Sequence, residues 1–465
     1  MAKLKLRGKD LKKINFPDKK TMALAMNLML RHYRKLDKAT ALQLLYELVA
    51  QPQNYLTHEV FGQLAQLLVQ PTIEQRQEQV LSEHLVPWQS FGSQFIEAQT
   101  QEQMEWACRL PVAVQAALMP DAHLGYGLPI GGVLATNNAV IPYGVGVDIG
   151  CRMSLSVYPL PASTIGKDHY RLKEILIKNS KFGRDVFWQP IDHEILDRAT
   201  FQAIPFVKKL KDKAYRQIGS SGSGNHFVEW GIVKVTDPSL ELAAGEYLAL
   251  LSHSGSRGMG AAIANHYTQI AMNTCLLPKQ VKHLAWLDLD SAEGEEYWQA
   301  MNLAGDYASA CHDQIHQRMS TALGEKAVLK IENHHNFAWK ETLSSGQKVI
   351  VHRKGATPAG KGVLGIIPGS MTAPGFIVRG KGNDQALASA SHGAGRKMSR
   401  TKARNSTTNA ALKEHLKKQQ VTLIGGGRDE APMAYKNIHD VMKSQQSLVD
   451  VLGTFYPKIV RMDKA

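Results

Sequence analysis

From about residue 105 onward the chain is built of short apolar runs, each closed by glycine or a polar cluster: AVIPYGVGVDIG, EYLALLSHSG, QKVIVHRKG and GFIVRG. Runs of that length bounded by turn residues read as β-strands and tight turns. Longer stretches lie between them: AAIANHYTQIAMN, EEYWQAMNLAGDYASACHDQIHQRM and ALKEHLKKQQ. These read as helices. The interleaving predicts an α+β class, a mixed, β-rich catalytic body over residues 105–465 with helices around it. A doubly wound nucleotide fold is not expected: GSSGSGNH lacks the GxGxxG spacing, and no GxxxxGK[ST] occurs.

Residues 1–75 have a different texture and predict a small, all-helical accessory unit. In ATALQLLYELVA, Ala41, Leu44, Leu45, Leu48 and Val49 recur at helical spacing, as do Val60, Phe61, Leu64, Leu67 and Leu68. Pro52 and Pro71 punctuate these helices. The polar TIEQRQEQ that follows Pro71 marks a connector, taken as residues 76–104.

Charge and cysteine usage narrow the class. Fifty-five Lys and Arg against 41 Asp and Glu leave a formal charge of +14, which favours a polyanionic partner such as nucleic acid. Cys108, Cys151, Cys275 and Cys311 are far apart and form no CxxC pair, so reduced thiols and a cytoplasmic setting are expected. The basic N-terminus has no apolar core of a secretory signal, and no apolar run is long enough to span a membrane.

The chemistry-bearing residues sit where the apolar runs end. VGVDIGC carries Asp148 and Cys151; GSGNHFVE carries Asn225, His226 and Glu229; LSHSGSRG carries His253 and Arg257. ENHHNF carries His334, His335 and Asn336, PDAHLG carries Asp121 and His123, and SHGAGRKMSR carries His392. One histidine beside a glycine is more often a hydrogen-bonded structural residue, and one cysteine a small buried hydrophobe. Repetition at several strand ends points instead to a divalent transition metal, for which imidazole, carboxylate and thiolate are suitable donors. One carboxylate, one thiolate and three histidines would hold two ions with the thiolate shared. In SHGAGRKMSR, Gly393 and Gly395 let a ligand approach the backbone, and Arg396, Lys397, Arg400, Lys402 and Arg404 supply positive charge.

The motifs PDAHLGYGLPIGG, GVGVDIGC, GSGNHFVE, HSGSRGMG, HHNFAWKE, VHRKGAT, IPGSM, SHGAGRKMSR and EAPMAYK, in this order, resemble the RtcB family of RNA ligases over about residues 105–460. Such ligases join RNA 3'-phosphate or 2',3'-cyclic phosphate ends to 5'-hydroxyl ends, using GTP and two manganese ions. The resemblance implies Asp148, Cys151, His226, His253 and His335 as metal ligands, with Cys151 bridging. Adjacent strand residues face opposite ways, so His334 and His335 are not both ligands, and Asn336 after the pair favours His335. The resemblance makes His392 the nucleophile that carries GMP. Asn225 then contacts the GMP phosphate, Glu229 the guanine, and Tyr435 stacks on it, with Asn336, Ser370, Gly393, Ala394, Gly395, Arg396 and Lys464 as further nucleotide contacts. Asp121 either orients a ligand from behind or caps a turn.

Three positions depart from the family pattern. Arg152 stands where glycine is usual, Gly375 where serine is common, and the sequence ends RMDKA rather than in Lys-Gly, so Lys464 is an imperfect counterpart of a guanine-reading lysine. The resemblance leaves a manganese phosphodiesterase, an RNA end-guanylating enzyme without ligation, and an inactive RNA-binding paralogue as alternatives.

Overall fold

The computed structural model describes residues 4, 6–14, 16, 19–69, 77–187 and 189–464. Lys3 and Lys5 of the basic N-terminus, Pro71 and most of TIEQRQEQ lie outside the described residues. The chain divides into two units, Met1–Gln77 and Glu78–Ala465.

The first unit is helical. Helices Lys19–His32, Lys38–Ala50 and Gly62–Leu68 bury Met22, Ala25, Met29, Leu45, Leu48 and Leu64, with Phe61 just ahead of the third helix, in a core of their own. Asp37 caps the second of these, its carboxylate accepting from the backbone N–H groups of Ala39 and Thr40.

The second unit is α+β, built on two sheets. The larger runs in the order Leu329–His334, Arg152–Pro161, Gly245–Ser254, Phe227–Val235, Val449–Lys464, Gly375–Gly380, Leu364–Ile367, and Thr422–Gly426 adds in parallel to the long strand Val449–Lys464. The smaller runs Asn336–Thr342, Lys348–Lys354, Ile130–Thr136, Ala113–His123, Trp88–Ser90. Residues 78–104, read as connector, are folded into this unit: Trp88–Ser90 pairs with Ala116–Leu118, and the rest includes most of helix Ala98–Cys108.

Side-chain alternation gives the large sheet two buried faces. Val228, Trp230, Leu248 and Leu250 pack against helix His169–Asn179 and Ile315 and Met319 of helix Ala292–Leu323. Met153, Leu155, Val233, Ala249 and Leu251 face the other way, toward Ile366, Ile377 and Phe455. Ser291 caps the long helix by accepting from Gly294, and Gly324, with φ +81°, ends it.

One strand assignment changes. AVIPYGVGVDIG is extended only at Ala139–Val140; Pro142, whose ring presets a helical φ, starts a short helix at Pro142–Val145, and the metal-motif residues follow in a turn.

Candidate active site

The four strands at one side of the large sheet end together. Arg152 pairs with His334 on one side and Ser254 on the other, Met153 pairs with His253, and His253 pairs with Phe227. The register therefore brings His335, Cys151, His253 and His226 side by side, at or one residue beyond a strand end. At His335 the chain leaves the large sheet and enters the smaller one at Asn336; its backbone N–H donates to the Cys151 carbonyl at 2.9 Å.

The donor atoms converge. Cys151 Sγ is 3.3 Å from His226 Nε2 and 3.1 Å from His253 Nε2, and His253 Nε2 is 3.2 Å from His335 Nε2. Asp148 Oδ2 lies 2.9 Å from His226 Nε2. The atoms fall into two overlapping sets, Asp148–Cys151–His226 and Cys151–His253–His335, with the thiol common to both. His253 Nδ1 donates to the Asn225 carbonyl at 3.1 Å, which leaves Nε2 with its lone pair toward the thiol. His334 turns away, against Phe337 and Trp339.

This donor set fits a borderline divalent ion or a pair of them. Burial, and next the Asp148 carboxylate, push the Cys151 thiol well above its ordinary pKa. Burial likewise drives His253 and His335 well below theirs, so the imidazoles stay neutral and can ligate. Burial works against the Asp148 carboxylate too, but His226, Cys151 and His253 outweigh it and hold that carboxyl below its usual range. A thiolate beside a carboxylate in a buried site calls for a cation.

His392 follows strand Ser389–Ser391 and stands beside this group, its ring centroid 4.9 Å from that of His335. Asp121, fully buried, holds it. Oδ2 accepts from His392 Nδ1 at 2.7 Å and from the backbone N–H groups of His392 and Gly393 at 3.2 and 3.3 Å. Burial opposes the ionised Asp121, but His392, Lys436 and His123 outweigh it and keep the carboxyl below its usual range. Nδ1–H is thus committed, and Nε2 carries the lone pair. Of the two readings of Asp121, the geometry supports orientation, with His392 as the group oriented. Gly395 makes this approach possible: φ is +69°, and a Cβ there would lie 2.0 Å from the Asp121 carbonyl.

A cavity of about 340 Å³ connects the donor cluster to His392 and is lined also by Asn225, Glu229, Asn336, Ser370, Gly393, Ala394, Gly395, Arg396 and Tyr435. Burial raises the Glu229 carboxyl, which lines the cavity, well above its ordinary pKa. Asn336 is engaged structurally, accepting from Gly355 N–H at 2.8 Å. Arg396 is largely spoken for by Glu430 at 2.8 Å and the Asp429 and Met398 carbonyls. Tyr435 packs under its guanidinium and donates to the same Glu430.

Lys464 is not in this cavity; it is exposed and lines a separate cleft with Arg257 and Asp463. The last strand runs Val449–Lys464 straight past the cavity, so its final residue projects beyond it. Lys397, Lys402 and Arg404 are exposed and also outside the lining, whereas Arg400 lines it and pairs with Glu430 at 3.1 Å.

Two charged lining residues were not singled out from sequence. Lys354, within VHRKGAT, is buried, and burial lowers its pKa to about 7. Glu430, the residue that opens EAPMAYK, organises two arginines and a tyrosine. Their motifs were visible, but nothing in a sequence marks a lysine or glutamate as buried. Arg152 also finds its reason: its guanidinium donates to the Gly150 and Gly305 carbonyls at 3.2 and 2.7 Å and pairs with Glu332, bracing the Asp148–Cys151 turn against the long helix. Gly375, the other departure, opens strand Gly375–Gly380 and lines the cavity without a side chain.

Comparison with known proteins agrees with this site. The family described as tRNA-splicing ligase RtcB matches residues 103–204 and 189–463. The chain is 32% identical over 400 residues to the RNA-splicing ligase RtcB of Escherichia coli K12, covering 77% of this chain and 93% of that protein. It is 32% identical over 407 residues to the RNA-splicing ligase RtcB of Mycobacterium tuberculosis (72% and 93% covered). It is 30% identical over 416 residues to the tRNA-splicing ligase RtcB of Thermococcus kodakarensis (74% and 86%). The chain belongs to the RtcB family.

Proposed function

We propose that this chain is an RNA ligase that joins 3'-phosphate or 2',3'-cyclic phosphate ends to 5'-hydroxyl ends, with GTP as the energy source and His392 as the nucleophile. The observation that carries the reading is the Asp121–His392 pair at 2.7 Å, its carboxylate fully buried, beside a Cys/His/Asp donor cluster in one cavity.

Nε2 of His392 attacks the α-phosphorus of GTP; the bond to the β-phosphate oxygen breaks and pyrophosphate leaves. The imidazole is then cationic, and Asp121 holds the proton at Nδ1. An oxygen of the RNA 3'-phosphate displaces His392 from the GMP phosphorus, breaking the P–N bond. The 5'-hydroxyl then attacks the activated RNA phosphate, and GMP departs. Asp148, Cys151, His226, His253 and His335 would hold two manganese ions, which supply positive charge for phosphate oxygens and water acidic enough to open a cyclic phosphate. Asn225 would hold the phosphate, Ser370 and the 393–396 turn would add nucleotide contacts, and Glu229 and Tyr435 would stand at the base.

The test is incubation with Mn²⁺ and α-labelled GTP. An acid-labile, alkali-stable label on the protein, absent from His392→Ala, is expected, and no label on the unmodified chain overturns the reading. A labelled cyclic-phosphate RNA with a 5'-hydroxyl partner separates ligation, which gives the joined product, from a phosphodiesterase or end-guanylating activity, which does not.

A further inference from the structure

The wall of the cavity is interrupted by one short loop. The chain leaves the lining at His123 and re-enters it at Ile130, and these two residues are cross-strand partners. The loop between them carries Tyr126, whose side chain is 70% exposed. A lone exposed aromatic needs no explanation, but this one stands on a backbone that is tied down at every residue around it. The Gln103 amide donates to the Gly125 and Gly127 carbonyls, each at 2.7 Å, and accepts from Gly125 N–H at 3.2 Å. The Tyr126 carbonyl accepts from the ammonium of Lys354, itself a lining residue. Gly127 has φ +69°, and a Cβ there would meet the His283 carbonyl at 2.9 Å, so the loop is also pressed against its neighbour.

Tyr126 belongs to a ring cluster. Its centroid lies 6.3 Å from Tyr143 and 6.1 Å from His283, both edge-on, and Tyr143 and His283 are 5.0 Å apart. Lys354 Nζ sits 4.9 Å from the Tyr143 ring and is buried, while Lys282 beside His283 is exposed. An aromatic ring carried into water on a fixed backbone, with an exposed lysine on the adjoining segment, is what an unpaired nucleobase stacks on. Rigidity matters because the ordering cost is met by the fold rather than at binding.

We propose that Tyr126, backed by Tyr143 and His283, is a stacking platform for an unpaired base at or next to the RNA end being joined. This rests on the ligase reading and adds a binding subsite outside the catalytic cavity. The base comes either from the 3'-phosphate strand or from the 5'-hydroxyl strand; the chemistry is the same.

The experiment uses the full chain and RNA carrying 2-aminopurine at the terminal nucleotide, in one arm on the 3'-phosphate strand and in the other on the 5'-hydroxyl strand. Quenching on binding is expected in one arm, retained in Tyr126→Trp and lost in Tyr126→Ala. The KM for that strand should rise about tenfold in Tyr126→Ala. Tyr126→Leu, which keeps apolar bulk without a π-face, should behave as the alanine variant does. Labelling of His392 by GTP needs no RNA and reports separately on the ligase reading and on folding. A variant that takes the label yet shows unchanged KM and quenching in both arms overturns the platform, as does absence of quenching with the unmodified chain.

Discussion

Two groups of buried histidines lie back to back on the large sheet, and neighbouring residues of one strand serve them. His253 faces the cavity; Ser252, one residue earlier, faces helix Ala292–Leu323 and meets His312 and His316. On the helix side every imidazole nitrogen is matched. His312 Nε2 donates to the Ser254 carbonyl at 3.2 Å and Nδ1 accepts from Ser252 at 2.7 Å; His316 Nε2 donates to Ser252 and Nδ1 accepts from Ser156, both at 2.7 Å. On the cavity side the Nε2 atoms crowd one thiol, and Nδ1 of both His226 and His335 has no hydrogen-bond partner among the described residues. Burial lowers the pKa of His253 and His335 as it does that of His312 and His316. Burial and titration therefore do not separate the two groups; the unmatched Nδ1 atoms of His226 and His335 do.

The sharpest test of that contrast is Cys151→Ala. Both donor sets lose their shared atom, so manganese stoichiometry by elemental analysis should fall and RNA joining should vanish, whereas His316→Ala should leave the metal content intact. Equal metal loss in the two variants would break the comparison.

On the helix face, Arg152→Ala leaves the half-buried Glu332 with only Lys330 as an ion-pair partner and Ser309 as a hydrogen-bond donor. Arg152 holds Glu332 down to about 2 against the opposing effect of burial. A loss of about 3 kcal/mol in unfolding free energy is expected by denaturant titration, and Arg152→Ala/Glu332→Gln should recover part of it. No loss would mean the brace is idle.

Asp121→Asn tests the cavity side through orientation alone. The amide would no longer fix the His392 tautomer, and GMP labelling should slow by on the order of 10²-fold while manganese content stays the same. A normal labelling rate would sink the orienting role.

The last effect, the smallest per unit of pH, concerns acid. Between pH 6.5 and the folded values of about 4 for His312 and about 3 for His316, the unfolded chain binds protons that the native chain does not. Stability contributed by these groups is complete above pH 6.5 and drains as pH falls through that window, by about 1.4 kcal/mol per pH unit for each histidine. His316→Gln should flatten the slope of unfolding free energy against pH by one such increment. An unchanged slope would mean that His316 is charged in the native state.

Much of the fold was legible because strand ends announce themselves. EYLALLSHSG and GFIVRG became strands Gly245–Ser254 and Gly375–Gly380, and the long amphipathic stretch became helix Ala292–Leu323. AVIPYGVGVDIG misled because an apolar run with proline inside it is not a strand. Residues 78–104 misled because a polar segment can still pair, as Trp88–Ser90 does through its backbone. No helix among the described residues is long and apolar enough to cross a membrane.

By itself the sequence determined which atoms are available: a thiol, carboxylates and imidazoles in glycine-rich turns, in an order that identifies the RtcB family. Residue chemistry and motif order are local properties, so they survive without coordinates. Only the tertiary structure decided which of those atoms meet. Strand register set Cys151 beside His253 and His226, a switch between sheets delivered His335, and Asp121, 271 residues from His392 in the chain, was turned toward that ring. Lys464 lies outside the cavity lining for the same reason, since a strand's length and not its final residue type fixes where its end lies. Long-range pairing decides such questions because hydrogen bonds between strands place side chains to within an ångström, and no count of residues along the chain encodes that distance.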